Sequence, residues 1–135
     1  MLDSFKFELV SPERLLASME VISVVIPGTE GEMTVMAHHA PVMTTVKPGL
    51  IRIATSEGTS EDFVVFGGFA DVLPEGCTLL AESAVRVADI DREDLENRIK
   101  NAREDVEDAS DPALRAAAEE YLQHLLTLEK GVSVN

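Results

Sequence analysis

An all-β N-terminal sandwich or barrel followed by a C-terminal antiparallel α-helical hairpin is the fold that these 135 residues predict. Three observations carry it. Up to about residue 88, apolar residues alternate with polar ones at period two, the spacing of half-buried strands. Turn signals rich in Gly and Pro recur every 8 to 12 residues in that stretch, with no helical pattern between them. From Asp89 the apolar spacing changes to that of a helix. The chain therefore divides into a β unit at 1–88 and a helical hairpin at 89–135.

Each element has its own signature. In "FKFELVS", Phe5, Phe7 and Leu9 alternate with Lys6 and Glu8. "VISVVI" (21–26) is a β-branched run that stops at Pro27-Gly28, and "MTVMA" follows from Met33. "GLIRIAT" puts Ile51 and Ile53 on one face and Arg52 on the other. "FVVF" and "FADVL" flank Gly67-Gly68, and "CTLLAES" and "VRVAD" complete the strands after the turn "PEG". In the helical half, Leu95, Ile99, Ala102 and Val106 form one stripe. Asp91 heads an acidic first turn, as the helix dipole favours. Ser110 or Asp111 caps a second helix with Pro112 at its first position. Its expected stripe is Leu114, Ala118, Tyr121, Leu125 and Leu128, and Lys130-Gly131 signal its end. Both stripes are thin, so the hairpin is expected to lean on the β unit or on a partner.

Bulk properties exclude several function classes. The formal net charge is −14 at pH 7, which repels phosphate backbones and anionic lipid head groups, so no nucleic acid is expected as a partner. No apolar run approaches the length of a membrane span, so direct membrane insertion is not expected. The N-terminal residues lack the basic-then-apolar order of a signal peptide and are not Arg-rich. The one cysteine, Cys77, cannot form a disulfide within the chain and fits a cytosolic setting.

Chemistry finds little support. His38 and His39 are adjacent, and on an extended chain their side chains diverge. The only other histidine is His124, so no metal site is expected. Cys77 sits in an apolar strand as a small core residue. No nucleophile elbow occurs, and "PGTEG" and "FGGF" lack the helix that a phosphate cradle needs; Gly67-Gly68 reads instead as a bulge or a close backbone approach. The acidic pairs at 93–94, 104–105 and 107–108 read as a solvated helix surface. No catalytic residue and no cofactor are expected. What remains is a β unit with an exposed loop stiffened by Pro41 and Pro48, joined to a helical hairpin. That suits a coupling or binding part. A free-standing sandwich that binds a small molecule or glycan is the competing class, but it should expose aromatics, and the chain has no Trp and one Tyr.

The stretch "PGTEGEMTVMAHHAPVMTTVKPGLIRI" resembles the signature of the epsilon subunit of F-type ATP synthases, P-G-x-x-G-x-x-G-[VI]-x-P-x-H-A-P-[LV]-[LM]-T-x-[LI]-K-P-G-x-[IV]-R-I. "GGFADVLPEGCTLLAESAVRVADID" is similar to the family's second block. The resemblance covers about residues 5 to 91. It implies a non-catalytic rotor subunit of the central stalk, binding the gamma subunit and resting on the c-ring, so that ion-driven rotation reaches catalytic sites elsewhere. It implies a peripheral place on the cytoplasmic face of a bacterial inner membrane, and contact of the hairpin with the catalytic head. Carried over by position, Glu32, His39, Ala40 and Pro41, with His38 beside them, are the expected partner-binding residues.

The sequence departs from the pattern. Thr34 stands where the family favours glycine, and Ala37-His38 stand where Pro-Gly is common. Many relatives open the first helix with I/L-D-x-x-R-A and bind ATP there. Here Asp94 and Leu95 replace the Arg-Ala, which sets negative charge against a phosphate. ATP binding is therefore not expected. The second helix has few basic residues, so weak inhibition of hydrolysis is expected from the hairpin.

Overall fold

A computed structural model describes residues 3–133. They fall into two compact units, Met1–Val87 and Ala88–Asn135. The first holds strands β1 (Phe5–Val10), β2 (Leu15–Gly28), β3 (Gly31–Met36), β4 (Val42–Thr55), β5 (Ser60–Leu73), β6 (Gly76–Ala81) and β7 (Ala84–Arg86). A 3-10 turn at Val87–Asp89 precedes α1 (Arg92–Asp108) and α2 (Pro112–Ser133).

The strands build a sandwich by bending. They are ordered β1-β6-β5-β4-β2-β3, β7 pairs with β5, and β1 also pairs with β2. The long strands β2, β4 and β5 each belong to two sheets. The first sheet holds β3, the C-terminal part of β2, the C-terminal part of β4, the N-terminal part of β5, and β7. The second holds the N-terminal part of β4, the C-terminal part of β5, β6, β1 and the N-terminal part of β2. β1 and β6 run parallel; the other pairs are antiparallel.

The segments that the sequence marks as separate runs join into longer strands, and Gly67-Gly68 is the close backbone approach that its sequence suggests. "FVVF" and "FADVL" form one 14-residue strand, and the run read as beginning at Val21 begins at Leu15. Glycine explains the first case. Gly67 and Gly68 have φ of 111° and 149°, and the register passes from Val46↔Gly68 to Pro48↔Phe66 at the bend. A Cβ at Gly68 would lie 2.1 Å from the Leu80 carbonyl oxygen. Only glycine lets the two backbones approach this closely while the strand turns into the other sheet. The Phe66 N–H donates to the Ser83 carbonyl and the Glu82 N–H to the Gly67 carbonyl, so pairing persists through the bend.

Alternation puts Phe5, Phe7 and Leu9 inside with Val21, Val24, Ile26, Val35, Ile51, Ile53, Phe63 and Leu79. Burying such side chains contributes roughly 1.5–3 kcal/mol each. Arg86 closes one end of the unit, its guanidinium 4.9 Å from the Phe63 ring centroid and paired with Glu61.

In the helical unit, the Asp91 carboxylate caps α1 by accepting from the Glu93 and Asp94 N–H groups. Asp111 accepts from the Ala113 N–H ahead of α2, with Pro112 at its first position. The α1 stripe is buried at Leu95, Ile99 and Ala102 and half-buried at Val106. The α2 stripe holds at Leu125 and Leu128 and differs from expectation towards its start. Leu122, Leu125, Leu128 and Val132 are buried, whereas Leu114 is 62% and Tyr121 37% exposed. The physical reason lies in α1. Its last turn, "REDVED", offers only Val106 as an apolar partner, so the start of α2 has little to bury itself against. α2 also runs past Lys130-Gly131 to Ser133, where burial of Val132 favours another turn.

Candidate functional site

The expected site residues lie around the two ends of β3. Glu32 is the second residue of β3, just past the β2–β3 turn, and the Thr29 N–H donates to the Thr45 carbonyl at 3.2 Å, which ties this turn to β4. Between residues 28–33 and 42–45 lies an open cleft of about 490 Å³. Glu32 and Glu30 line it together with Met33, Val42 and Met43. The cleft thus combines carboxylates with flexible apolar side chains, a surface able to receive an amide or basic group beside an apolar one.

The loop after β3 is held by its backbone. The His38 N–H donates to the Pro74 carbonyl and the His39 N–H to the Met36 carbonyl. The extended geometry expected for the two histidines does not occur at His38. Its φ is +67°, a left-handed conformation, and it is the only non-glycine with positive φ among the described residues. His38 Nε2 lies 2.9 Å from Asp3 Oδ2, with both side chains well exposed. His39 Nδ1 lies 2.7 Å from the Ala40 carbonyl oxygen, and Ala40 and Pro41 are exposed.

The structure therefore sorts the expected residues into two places. Glu32 belongs to the cleft, and Pro41 leads directly into its Val42-Met43 wall. His38 is instead engaged with the N-terminal segment and the β5–β6 turn. Sequence reading missed Met33, Val42 and Met43 as cleft residues. The available signal was "VM" directly after Pro41: adjacent apolar residues on one strand cannot both face the core. Met43 is 70% exposed.

Other candidates resolve as structural. Cys77 is buried, and burial, aided by the negative charge of Asp71, pushes its thiol up to about 12. A thiol held neutral is a poor nucleophile. Asp94 is paired with Arg98 one turn on, at 3.1 Å. Among the described residues no three His, Cys, Asp or Glu side chains gather as a metal site, and no helix is long and apolar enough to cross a membrane.

Residues 4–87 match the family model described as the ATP synthase delta/epsilon chain β-sandwich domain. The chain is 64% identical over 132 residues to the ATP synthase epsilon chain of Mesorhizobium japonicum, covering 98% of both chains. The chain belongs to the ATP synthase epsilon chain family. It is 61% identical to the epsilon chain of Chelativorans sp., covering 96% of each. Among solved structures, it superposes with a TM-score of 0.76 and 25% identity on a chain of the Euglena gracilis mitochondrial ATP synthase, described as OSCP/F1/c-ring, covering 98% of this chain and 84% of that one. A chain of the Tetrahymena thermophila central stalk and c-ring shares the fold at a TM-score of 0.74 and 15% identity. The epsilon chain family accounts for both units, the β-sandwich and the two C-terminal helices, and makes this chain a non-catalytic subunit of an ATP synthase.

Proposed function

We propose that the chain is a central-stalk subunit of a bacterial rotary ATP synthase, coupling ion-driven rotation of a c-ring, through a gamma subunit, to ATP synthesis in the catalytic head. Full-length similarity to epsilon chains, 64% identical over 98% of both chains, is the observation that carries this reading. The β unit binds gamma and the ring. Glu32, in its cleft with Met33 and Met43, faces the ring, and His38, His39, Ala40 and Pro41 shape the adjoining contact. The subunit sits peripherally at the cytoplasmic face of the inner membrane.

The hairpin adds at most weak restraint on ATP hydrolysis. Arg115 and Lys130 face Glu119, Glu120 and Glu129 in charge count on α2. Arg115 is already committed, donating to the Ala109 carbonyl at 3.1 Å. An acidic partner surface gains little from such a helix.

The test is Glu32→Ala combined with His39→Ala in the assembled enzyme, read as ion pumping per ATP hydrolysed. Reduced coupling with an unchanged thermal midpoint of the isolated subunit is expected, because exposed substitutions usually change stability by less than about 0.5 kcal/mol. Coupling equal to wild type would remove these residues from the ring contact.

A further inference from the structure

Three of the five methionines fall on β3 and at the start of β4. They are not equally covered. Met33 packs against the core cluster, as Met19 of β2 also does. Met36 is 43% exposed. Met43, at 70%, is the most exposed large apolar side chain among the described residues. Register explains its exposure. Val42 is opposite Val72 and Thr44 opposite Ala70, and both of those partners are fully buried. Alternation leaves Met43 on the outer face, opposite Asp71. Glu30 and Glu32 line the same cleft and are the only charged residues that do.

A single exposed apolar residue is ordinary. Met43 differs in what it can do and in where it stands. Its thioether is oxidisable, and the chain offers a dissolved oxidant little else. Cys77 is buried, and its thiol, pushed up to about 12, carries no thiolate at neutral pH. Among the described residues, Met43 is therefore the sulfur that an oxidant meets first. It is also a wall of the cleft, so a change in its polarity changes the cleft.

We propose that Met43 is a reversible oxidation site through which hydrogen peroxide controls the cleft, and with it the entry of this chain into its ATP synthase. The thioether sulfur attacks one peroxide oxygen. An S–O bond forms and the O–O bond breaks. The proton on the transferred oxygen passes to the departing hydroxide, which leaves as water. Sulfur is oxidised by two electrons and the peroxide is reduced by two. The product is a sulfoxide, polar and chiral, which methionine sulfoxide reductases return to the thioether. Its oxygen only accepts hydrogen bonds, as the carboxylates of Asp71, Glu30 and Glu32 do. The oxidised cleft thus loses an apolar wall and gains an acceptor. A surface that closes over it must strip water from that acceptor without replacing the bond. This effect on assembly rests on the reading of the cleft as a contact surface; the oxidation itself does not. Under that reading the assembled enzyme covers Met43, so the free chain is the form that reacts.

The test treats the purified full chain with hydrogen peroxide and follows each methionine by peptide mass spectrometry. Met43 is expected to oxidise at least tenfold faster than Met19 or Met33. Treated chain is then added to ATP synthase prepared without this subunit, and the bound fraction is measured. Oxidation is expected to weaken binding at least fivefold, and reductase treatment to restore it. Met43→Leu, given the same peroxide, is expected to bind like untreated wild type. Met43→Gln, polar without any oxidant, is expected to bind weakly, with thermal unfolding as the check that both variants fold. Equal oxidation rates at Met43 and Met19 would overturn the site. Selective oxidation of Met43 with undiminished binding would overturn its control of assembly, as would loss of binding by peroxide-treated Met43→Leu. Failure of untreated wild-type chain to bind would overturn the rotor reading and the assembly step with it, but not the preferential oxidation of Met43.

Discussion

His38 sits in a backbone conformation that costs an L-residue about 1–2 kcal/mol relative to the right-handed regions. Its contact with Asp3 is exposed, and surface contacts of this kind offset about 0–1 kcal/mol of that. His38→Gly relieves the strain but adds unfolded-state entropy of roughly 0.5–1 kcal/mol. The net expectation is a chain more stable by only about 0.25 kcal/mol, measured as a slightly higher urea midpoint with unchanged slope. A lower midpoint would show that the imidazole contacts outweigh the backbone. Cys77 makes a second prediction, through pH. Its thiol is raised from 9.0 to about 12, so the folded state holds a proton that the unfolded state releases first. The stability this gives is fully present below about pH 9 and is lost as pH rises toward 12. The slope in that window is about 1.4 kcal/mol per pH unit. Urea unfolding of wild type and Cys77→Ala between pH 8 and 10.5 should show their stability difference narrowing as pH rises. Parallel profiles would mean that the thiol ionises without unfolding. Glu32, by contrast, reached the candidate site from sequence through the family signature alone; nothing in its spacing sets it apart from Glu30.

At the scale of elements, sequence reads faces better than ends. Phe5, Phe7 and Leu9 were legible as an inward face because polar residues separate them, and all three are buried. Leu15-Leu16, Leu79-Leu80 and Val42-Met43 were not sorted, since alternation cannot tell which of two adjacent apolar residues faces inward until pairing fixes the register. The cleft wall comes from the last of these doublets. Strand lengths failed for a related reason. Gly67-Gly68 is legible as a bulge or a close backbone approach, but only the partner strands reveal that one paired strand continues through it. The α1 stripe was legible in full. That of α2 was legible at Leu125 and Leu128 but not towards its start, because Leu114 and Tyr121 fit the helical period as well as Leu122 does. What separates them is the apolar poverty of the last turn of α1, a property of the other helix.

At the scale of the whole molecule, the change of period near residue 89 predicts independent behaviour of the two parts. A chain ending at Ala88 should unfold in one cooperative transition and still enter the assembled enzyme. With it, ATP hydrolysis should rise less than tenfold, a limit of about 1.4 kcal/mol on inhibition by the hairpin. Residues 89–135 alone should be largely unstructured by circular dichroism, because short helices with thin apolar stripes barely offset their ordering entropy. A stably helical fragment, or a tenfold rise in hydrolysis, would contradict these expectations. The β unit, in turn, is not two slabs pressed together. β2, β4 and β5 run through both of its sheets. In a part that turns with a shaft, sideways force on one sheet would tend to slide it over the other. Here three continuous backbones cross from sheet to sheet, so sliding must stretch or re-bend covalent chain as well as shear side-chain packing. Bonds that resist extension carry the strain, and the unit behaves as a stiff key rather than a laminate.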